Sequence, residues 1–414
     1  MAAKKKKSKS ASEPLDIKGD NFDDISTELI KALNKEFGER IAYNLKNQDA
    51  PTIVKNWVST GSILLNYAIG NRKNGGYPSG RIIEIAGPPS TGKSHLALAT
   101  AKFVQDQGGL VVYIDTENAT PIEKLAQMGI DVARRFVYCD THCTEEVFQI
   151  TENVIRKAES LTKNNKPILV VWDSVAATSP KEELEGDYDQ QTMGLQARVI
   201  SKSMRKITGP IGKYGVTFMC LNQIRDKFGV MFGDPVTTPG GKAIPFHSSV
   251  RIMISSAAPI KDNDGEIVGI TVRATVKKNK VGPPMRKVEF DIIFGEGIDE
   301  SESLYALLKK ASSKNPIIVG DKGVTLSDAG SWKKLIITDP DTGEVLIEKS
   351  FVKSKLHKEL LNDETFGPLL LDAIDKVMTI KYDVSEAKPV EGEDSYDVTE
   401  STNEDAVGIE EIEE

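Results

Sequence analysis

The amino-acid sequence predicts an α/β protein built on a mainly parallel sheet, and three observations carry that prediction. From about Trp57, the apolar runs "RIIEIA", "LVVYID", "RFVYCD", "ILVVWDS" and "VTFMCLN" are separated by helix-length segments, as expected for strands buried on both faces and joined by helical crossovers. The first run leads into "GPPSTGKS", residues 87–94, and then "HLALATAKFV" at helical spacing, which is the strand–loop–helix context of a phosphate-binding loop. Further on, "VRIMIS", "ITVRATVKKNK" and "VEFDIIF" leave no room for helices, so the sheet is expected to end in antiparallel strands.

Residues 1–20 are rich in Lys, Ser and Ala and read as a disordered basic leader. In residues 21–56, Ile25, Leu29, Ile30, Leu33 and Phe37 recur at helical spacing before Gly38, so a short amphipathic helix and a linker are expected. A core over 57–299 follows, then a smaller mixed α/β unit over 300–380 and a disordered acidic tail over 381–414.

The net charge of −8 is unevenly spread, because residues 1–10 carry +5 and residues 383–414 carry −12. The body between them is close to neutral, which argues against wholesale charge-driven binding to nucleic acid and makes any such site local. The three cysteines form no even framework, and no secretory apolar segment follows "MAAKKKKSKS". A cytoplasmic setting is expected. "CDTHC" places Cys139, His142 and Cys143 together, but without the fourth ligand of a structural zinc site.

In the loop Gly87, Pro88, Pro89, Ser90, Thr91, Gly92, Lys93 and Ser94, backbone N–H groups and a helix N-terminus are expected to cradle phosphates. Lys93 should reach the outer phosphates and Ser94 should ligate Mg2+. Hydrolysis needs carboxylates as well. Two strand ends supply them: Asp115 and Glu117 in "YIDTE", and Asp173 in "VVWDS". Asp173 suits the Mg2+ partner and Glu117 the orientation of water, with Asp115 as support; each acid has the competing reading of a helix cap.

Two segments have the composition for single-strand binding. "GDYDQQTMGLQARVISKSMRK" sets Arg198, Ser201 and Arg205 on one helix face, where they can follow a phosphate backbone. "IRDKFGVMFGDPVTTPGGK" contains Arg225, Phe228 and the bare backbone of Gly240 and Gly241.

Several long motifs in one order ("VSTGS", "GRIIEIAGPPSTGKS", "WDSVAATSPKEELEG", "MGLQARVISKSMRK", "NQIRDKFGVMFGDPVTTPGGKA", "KKNKVGPP") resemble the RecA recombinase family from about Phe37 to Glu296. The C-terminal "DPDTGEVL" and "FGPLLLDAIDKVM" look more like its phage UvsX branch, implying a phage-encoded protein in a bacterial host. The resemblance implies a RecA-like P-loop ATPase core with a small N-terminal polymerisation helix and a small C-terminal domain. It also implies ATP and Mg2+ as cofactors, Glu117 as catalytic carboxylate and Asp173 as the Walker B acid. Gln223 would sense the terminal phosphate, and Met193 and Phe228 would be wedges that split the bound strand. Lys278 and Lys280, taken to alternate on one strand face, would reach the nucleotide of the adjacent subunit. Two positions depart from the family pattern: Glu123 stands where a Tyr near adenine is common, and Pro245 where Lys is common.

The implied activity is ATP-dependent filament formation on single-stranded DNA with homologous pairing and strand exchange into duplex. Single-strand-binding and loader proteins are implied partners. The acidic tail is expected to compete electrostatically with DNA. A hexameric helicase-type motor on the same core, or a non-hydrolysing DNA scaffold, are the alternatives.

Overall fold

The computed structural model describes residues 22–38, 40–44, 50, 52–161, 166–187, 194–226 and 236–381. The basic leader, Met193, Phe228 and nearly all of the acidic tail lie outside these residues. The described residues up to Thr379 form one compact unit.

The chain opens with helix α1 (Phe22–Phe37) and continues through α2 (Ile63–Gly70), strand β1 (Ile82–Gly87), α3 (Lys93–Asp106), β2 (Leu110–Asp115), α4 (Ile122–Gln127), β3 (Phe136–Asp140), α5 (Thr144–Leu161) and β4 (Ile168–Asp173). Helix α6 (Leu195–Tyr214) leads to β5 (Val216–Gln223), and β6 (Val250–Lys261), β7 (Ile267–Asn279), β8 (Lys287–Ile293) and β9 (Gly297–Asp299) complete the sheet. The strand order is β9-β8-β7-β6-β1-β5-β4-β2-β3. All pairs from β6 to β3 are parallel, and β7, β8 and β9 are each antiparallel to the strand before. The sheet thus ends in antiparallel strands as expected, except that β6 is itself parallel to β1. The short helix Ala243–His247 and the segment before it bring the chain back across the sheet before β6 begins.

Alternation along the strands builds two apolar layers. Ile83, Ile85, Val111, Tyr113, Val171 and Leu221 belong to the layer that includes α2 and α3. Their neighbours Ile82, Val112, Ile114, Trp172 and Phe218 face the side covered by α5 and α6. On that side the Trp172 ring meets Phe148 edge-on at 5.5 Å. Each fully buried aliphatic side chain contributes about 1.5–3 kcal/mol, so the layers account for the run-like strands.

The 300–380 segment is an antiparallel meander of β10 (Ile317–Val319), β11 (Lys322–Ala329), β12 (Trp332–Thr338) and β13 (Val345–Phe351), flanked by α7 (Ser301–Ala311) and α8 (Phe366–Met378). Its buried Leu304, Leu335, Leu370 and Ile374 belong to the same apolar cluster as Ile83 and Leu98. Helix α1 is different. Leu29 and Phe37 are exposed and Ile25, Ile30 and Leu33 only half-buried, so its apolar face is not enclosed by the described residues.

One long-range polar contact ties the two ends of the core together. Buried Glu300, just after β9, accepts hydrogen bonds from Ser62 Oγ (2.5 Å) and from the backbone N–H groups of Ile63 (2.5 Å) and Leu64 (3.0 Å). A carboxylate thereby satisfies the orphan donors at the start of α2. Burial raises its pKa from 4.5 to about 7, with the Ser62, Leu64 and Ile63 hydrogen bonds pulling the other way. Native Glu300 therefore holds its proton where the unfolded chain has released it. The stability it contributes is complete below about pH 4.5 and declines as pH rises toward 7. The difference in melting temperature between the native chain and Glu300→Gln should accordingly shrink between pH 4.5 and 7.5, measured by calorimetry; a pH-independent difference contradicts the assignment.

Candidate active site

Sheet register places the candidate residues on one edge. Gly87 of β1 pairs with Gln223 of β5, and Asp115 of β2 pairs with Asp173 of β4. The loops after these four parallel strands therefore leave the same carboxyl edge, where ligands collect in open α/β sheets.

The 87–94 loop is held by its own contacts. Thr91 Oγ1 donates to the Pro88 carbonyl (2.8 Å), and Lys93 Nζ donates to the carbonyls of Gly87 (3.0 Å) and Pro88 (2.7 Å). Ser90 and Gly92 have left-handed φ of 58° and 91°. A Cβ on Gly92 would lie 2.5 Å from Ile292 Cδ1, and one on Gly87 only 2.3 Å from the Ile254 carbonyl oxygen. Strands β6 and β8 thus press on the loop, and glycine is required there by packing. Helix α3 starts at Lys93, so its unpaired N–H groups open toward the loop.

Asp173 Oδ2 accepts from the Tyr113 hydroxyl at 2.6 Å. Burial pushes the Asp173 pKa up, the hydrogen bonds from Tyr113 and Ser94 oppose this, and Glu117 and Asp115 add to the rise. Lys93 is shifted down by burial, partly offset by Asp173 and Glu117. Opposite charges facing each other out of water are what a site for a phosphate–metal pair requires. Glu117 Oε1 accepts from Ser174 Oγ (2.5 Å) and from Gln223 Nε2 (3.5 Å), bringing Glu117 and Gln223 together across the edge. Asp115 accepts from the N–H groups of Glu117 (3.1 Å), Ala119 (3.4 Å) and Thr120 (3.0 Å), so it shapes the turn that carries Glu117.

Ser94 and Asp173 form a hydroxyl–carboxylate pair of hard oxygens, which suits Mg2+ that keeps waters and phosphate oxygens as its other ligands. Among the described residues no cluster of three or more His, Cys, Asp or Glu could hold an ion by itself. His142 Nδ1 lies 2.9 Å from the Thr116 carbonyl.

Of the candidates for DNA contact, Arg198, Ser201, Arg205, Arg225, Gly240 and Gly241 are among the described residues, whereas Met193 and Phe228 are not. Arg198, Ser201 and Arg205 lie along α6, and Arg205 Nη1 donates to Ser201 Oγ at 3.2 Å. Arg225 is exposed at the base of the second segment, where Arg225–Asp226 pairs with Val236–Thr237. Gly240 and Gly241 have φ of 83° and 74°; a Cβ on Gly240 would meet Ile200 at 2.8 Å and one on Gly241 would meet Ala197 at 2.9 Å. This pair packs directly on α6, a role that composition did not reveal.

Lys278 lies in β7 and Lys280 one residue past its end at Asn279, where its N–H donates to Ser249 O at 2.9 Å. Lys278 Nζ donates to the carbonyls of Pro245 and Phe246, at 2.8 Å each. Lys278 pairs with Arg251, which pairs with Glu84, placing it about 10 Å back along the strand direction from Gly87. The two lysines are not at the chain's own phosphate loop.

Tyr113 and Ser174 were not singled out in the sequence, although each sits within two residues of a chosen acid. Also missed was a cavity of about 510 Å3 beside the first turn of α3, lined in part by His95, Lys102, Lys124, Met128 and Phe294. Burial first, then Lys124, lowers the His95 pKa to about 4.

A family model described as the RecA N-terminal domain matches residues 25–299. Protein RecA of Bacteroides thetaiotaomicron is 41% identical over 289 residues, covering 68% of this chain and 83% of the relative. Protein RecA of Chloroherpeton thalassium is 41% identical over 303 residues, 73% of this chain and 81% of the relative. Protein RecA of Chlorobium chlorochromatii is 37% identical over 344 residues, covering 81% and 90%. The matched segment runs from α1 to β9 and takes in both the phosphate loop and the carboxylates of the sheet edge: the chain belongs to the RecA family and is a DNA-dependent ATPase of the recombinase type.

Proposed function

We propose that the chain binds ATP with Mg2+ at the 87–94 loop, assembles as a helical filament on single-stranded DNA, and exchanges that strand with homologous duplex DNA in the cytoplasm. The observation that carries this reading is the meeting of Glu117 and Gln223 at the sheet edge, with Gln223 leading straight into the Arg225 segment. Lys93 grips the outer phosphates, Ser94 and Asp173 hold Mg2+, and Glu117 orients the attacking water. Bound Mg2+ supplies charge neutralisation at the phosphates. Gln223 moves between Glu117 and the terminal phosphate, which couples nucleotide state to the order of the following segment. The cavity with His95, Lys124 and Phe294 takes the nucleoside end, and Phe294, 58% exposed, offers the aromatic surface missing at Glu123.

Arg198, Ser201, Arg205, Arg225 and the Gly240–Gly241 backbone follow the DNA phosphates, with Met193 and Phe228 as wedges. Lys278 and Lys280 act on the nucleotide of the next subunit, as their distance from the chain's own loop favours. The uncovered face of α1 docks on a neighbouring copy, and a contact of this heterologous kind propagates as a filament unless its rotation closes. Single-strand-binding and loader proteins would set where filaments start.

ATP turnover with and without single-stranded DNA, combined with electron microscopy of the complex, tests the whole reading. Lys93→Ala should abolish ATP binding, whereas Glu117→Gln should keep ATP and DNA bound while slowing turnover by roughly 10²-fold or more. Equal loss of ATP affinity in both variants contradicts these roles.

Lys278→Ala combined with Lys280→Ala should depress DNA-stimulated hydrolysis. Mixing that protein with Glu117→Gln should restore part of it, because some interfaces then pair an intact Glu117 with intact lysines. No restoration at any ratio, in mixtures shown to co-assemble, rules out action across the interface.

Phe37→Ala should raise the protein concentration needed for filaments while leaving the melting temperature of the core unchanged. Unchanged filament length at limiting protein argues for a helix that serves its own chain.

A further inference from the structure

A polar cluster lies on the α6 side of the sheet, the face opposite α3. Glu84, in the middle of β1, is fully buried and ion-paired with Arg251 of β6. Asn222, the residue before Gln223, is also fully buried. Both hydrogens of its amide are used: Nδ2 donates to Glu84 Oε1 (3.2 Å) and to the Pro239 carbonyl (3.2 Å). Its Oδ1 has no hydrogen-bond partner among the described residues. A buried amide with one unsatisfied atom is costly, and an apolar residue of similar size would fill the space without that cost.

The position of the cluster suggests what it does. Pro239 immediately precedes Gly240 and Gly241, which are wedged against Ile200 and Ala197 of α6. Arg198, Ser201 and Arg205 lie on that same helix. On the other side, Arg251 is the register partner of Lys278, and the charges of Arg251 and Glu84 both act on Lys278. A single side chain therefore bridges the end of the second DNA segment to the carboxylate whose arginine stands beside the interface lysines.

We propose that Asn222 is a positioning residue that carries DNA engagement from the Pro239–Gly241 backbone, through Glu84 and Arg251, to Lys278. This rests on the reading of the chain as a DNA-stimulated ATPase. Asn222 touches neither phosphate nor DNA. It fixes the distance between a backbone that moves when DNA seats on α6 and the ion pair of buried Glu84 with Arg251, beside Lys278. The amide must donate twice at once, which neither a carboxylate nor a single hydroxyl can do.

The test uses full-length protein, with ATP turnover measured without DNA and with saturating single-stranded oligonucleotide. Asn222→Ala should keep DNA-free turnover, ATP affinity and oligonucleotide affinity within about twofold of the native chain and lose roughly tenfold in DNA-stimulated kcat. Glu84→Gln should give a similar loss, and the double variant should lose no more than the worse single one, as expected of one pathway. Hydrogen exchange adds a structural readout. In the native chain, oligonucleotide should slow exchange both at residues 236–245 and around Arg251 and Lys278; in Asn222→Ala only the first should respond. Should Asn222→Ala fail to fold, Asn222→Ser, which keeps a polar group but cannot span both acceptors, is read in the same way. A folded variant with the native stimulation ratio overturns the proposal, as do additive losses in the double variant. A native chain with no stimulation by DNA overturns the functional reading itself.

Discussion

The register between parallel strands is the constraint on which the rest of the structure depends. Gly87 stands opposite Gln223 and Asp115 opposite Asp173, so four strand ends finish level and four loops share one edge. A slip of one residue in β4 would turn Trp172 toward the α3 side and carry Asp173 to the wrong face. The alternation of Val170 and Trp172 with Leu169 and Val171 makes that slip expensive, because both faces of the strand are apolar and each has its own helices to fill. Hydrophobic packing thereby sets the position of the ionisable groups. Their chemistry follows from the same burial, which raises Asp173, lowers Lys93 and holds the two together at the edge.

Much of this was legible from residue pattern alone. The apolar runs ending in Asp115 and Asp173 announce strands whose carboxyl ends bear acids, and "GPPSTGKS" announces the loop between strand and helix. Other features leave no local mark. Tyr113 lies inside an apolar run, and nothing in "LVVYID" says that its hydroxyl meets a carboxylate 60 residues away. Gly240 reads as backbone access to phosphate, while its closest neighbour is Ile200 of α6. Composition sees residue types, whereas these contacts depend on which distant element happens to lie alongside.

The polar contacts of the sheet include two kinds. Those at the sheet edge, such as Glu117 with Ser174 and Gln223, sit where a ligand can replace their partners. Those within it, such as buried Glu84 with partly exposed Arg251, are held by partners from other strands.

The capping of α2 by Glu300 bears on how the molecule can be divided. The family match ends at residue 299, which makes that point look like a natural place to cut. Yet the carboxylate that satisfies the first turn of α2 is the very next residue, and the meander beyond it shares its apolar cluster with β1 and α3. A fragment ending at the match would expose both the donors at Ile63 and Leu64 and the apolar surface against which α7 and α8 pack. The boundary of the family match and the boundary of the packed core are therefore different lines through this chain, and the second lies past α8.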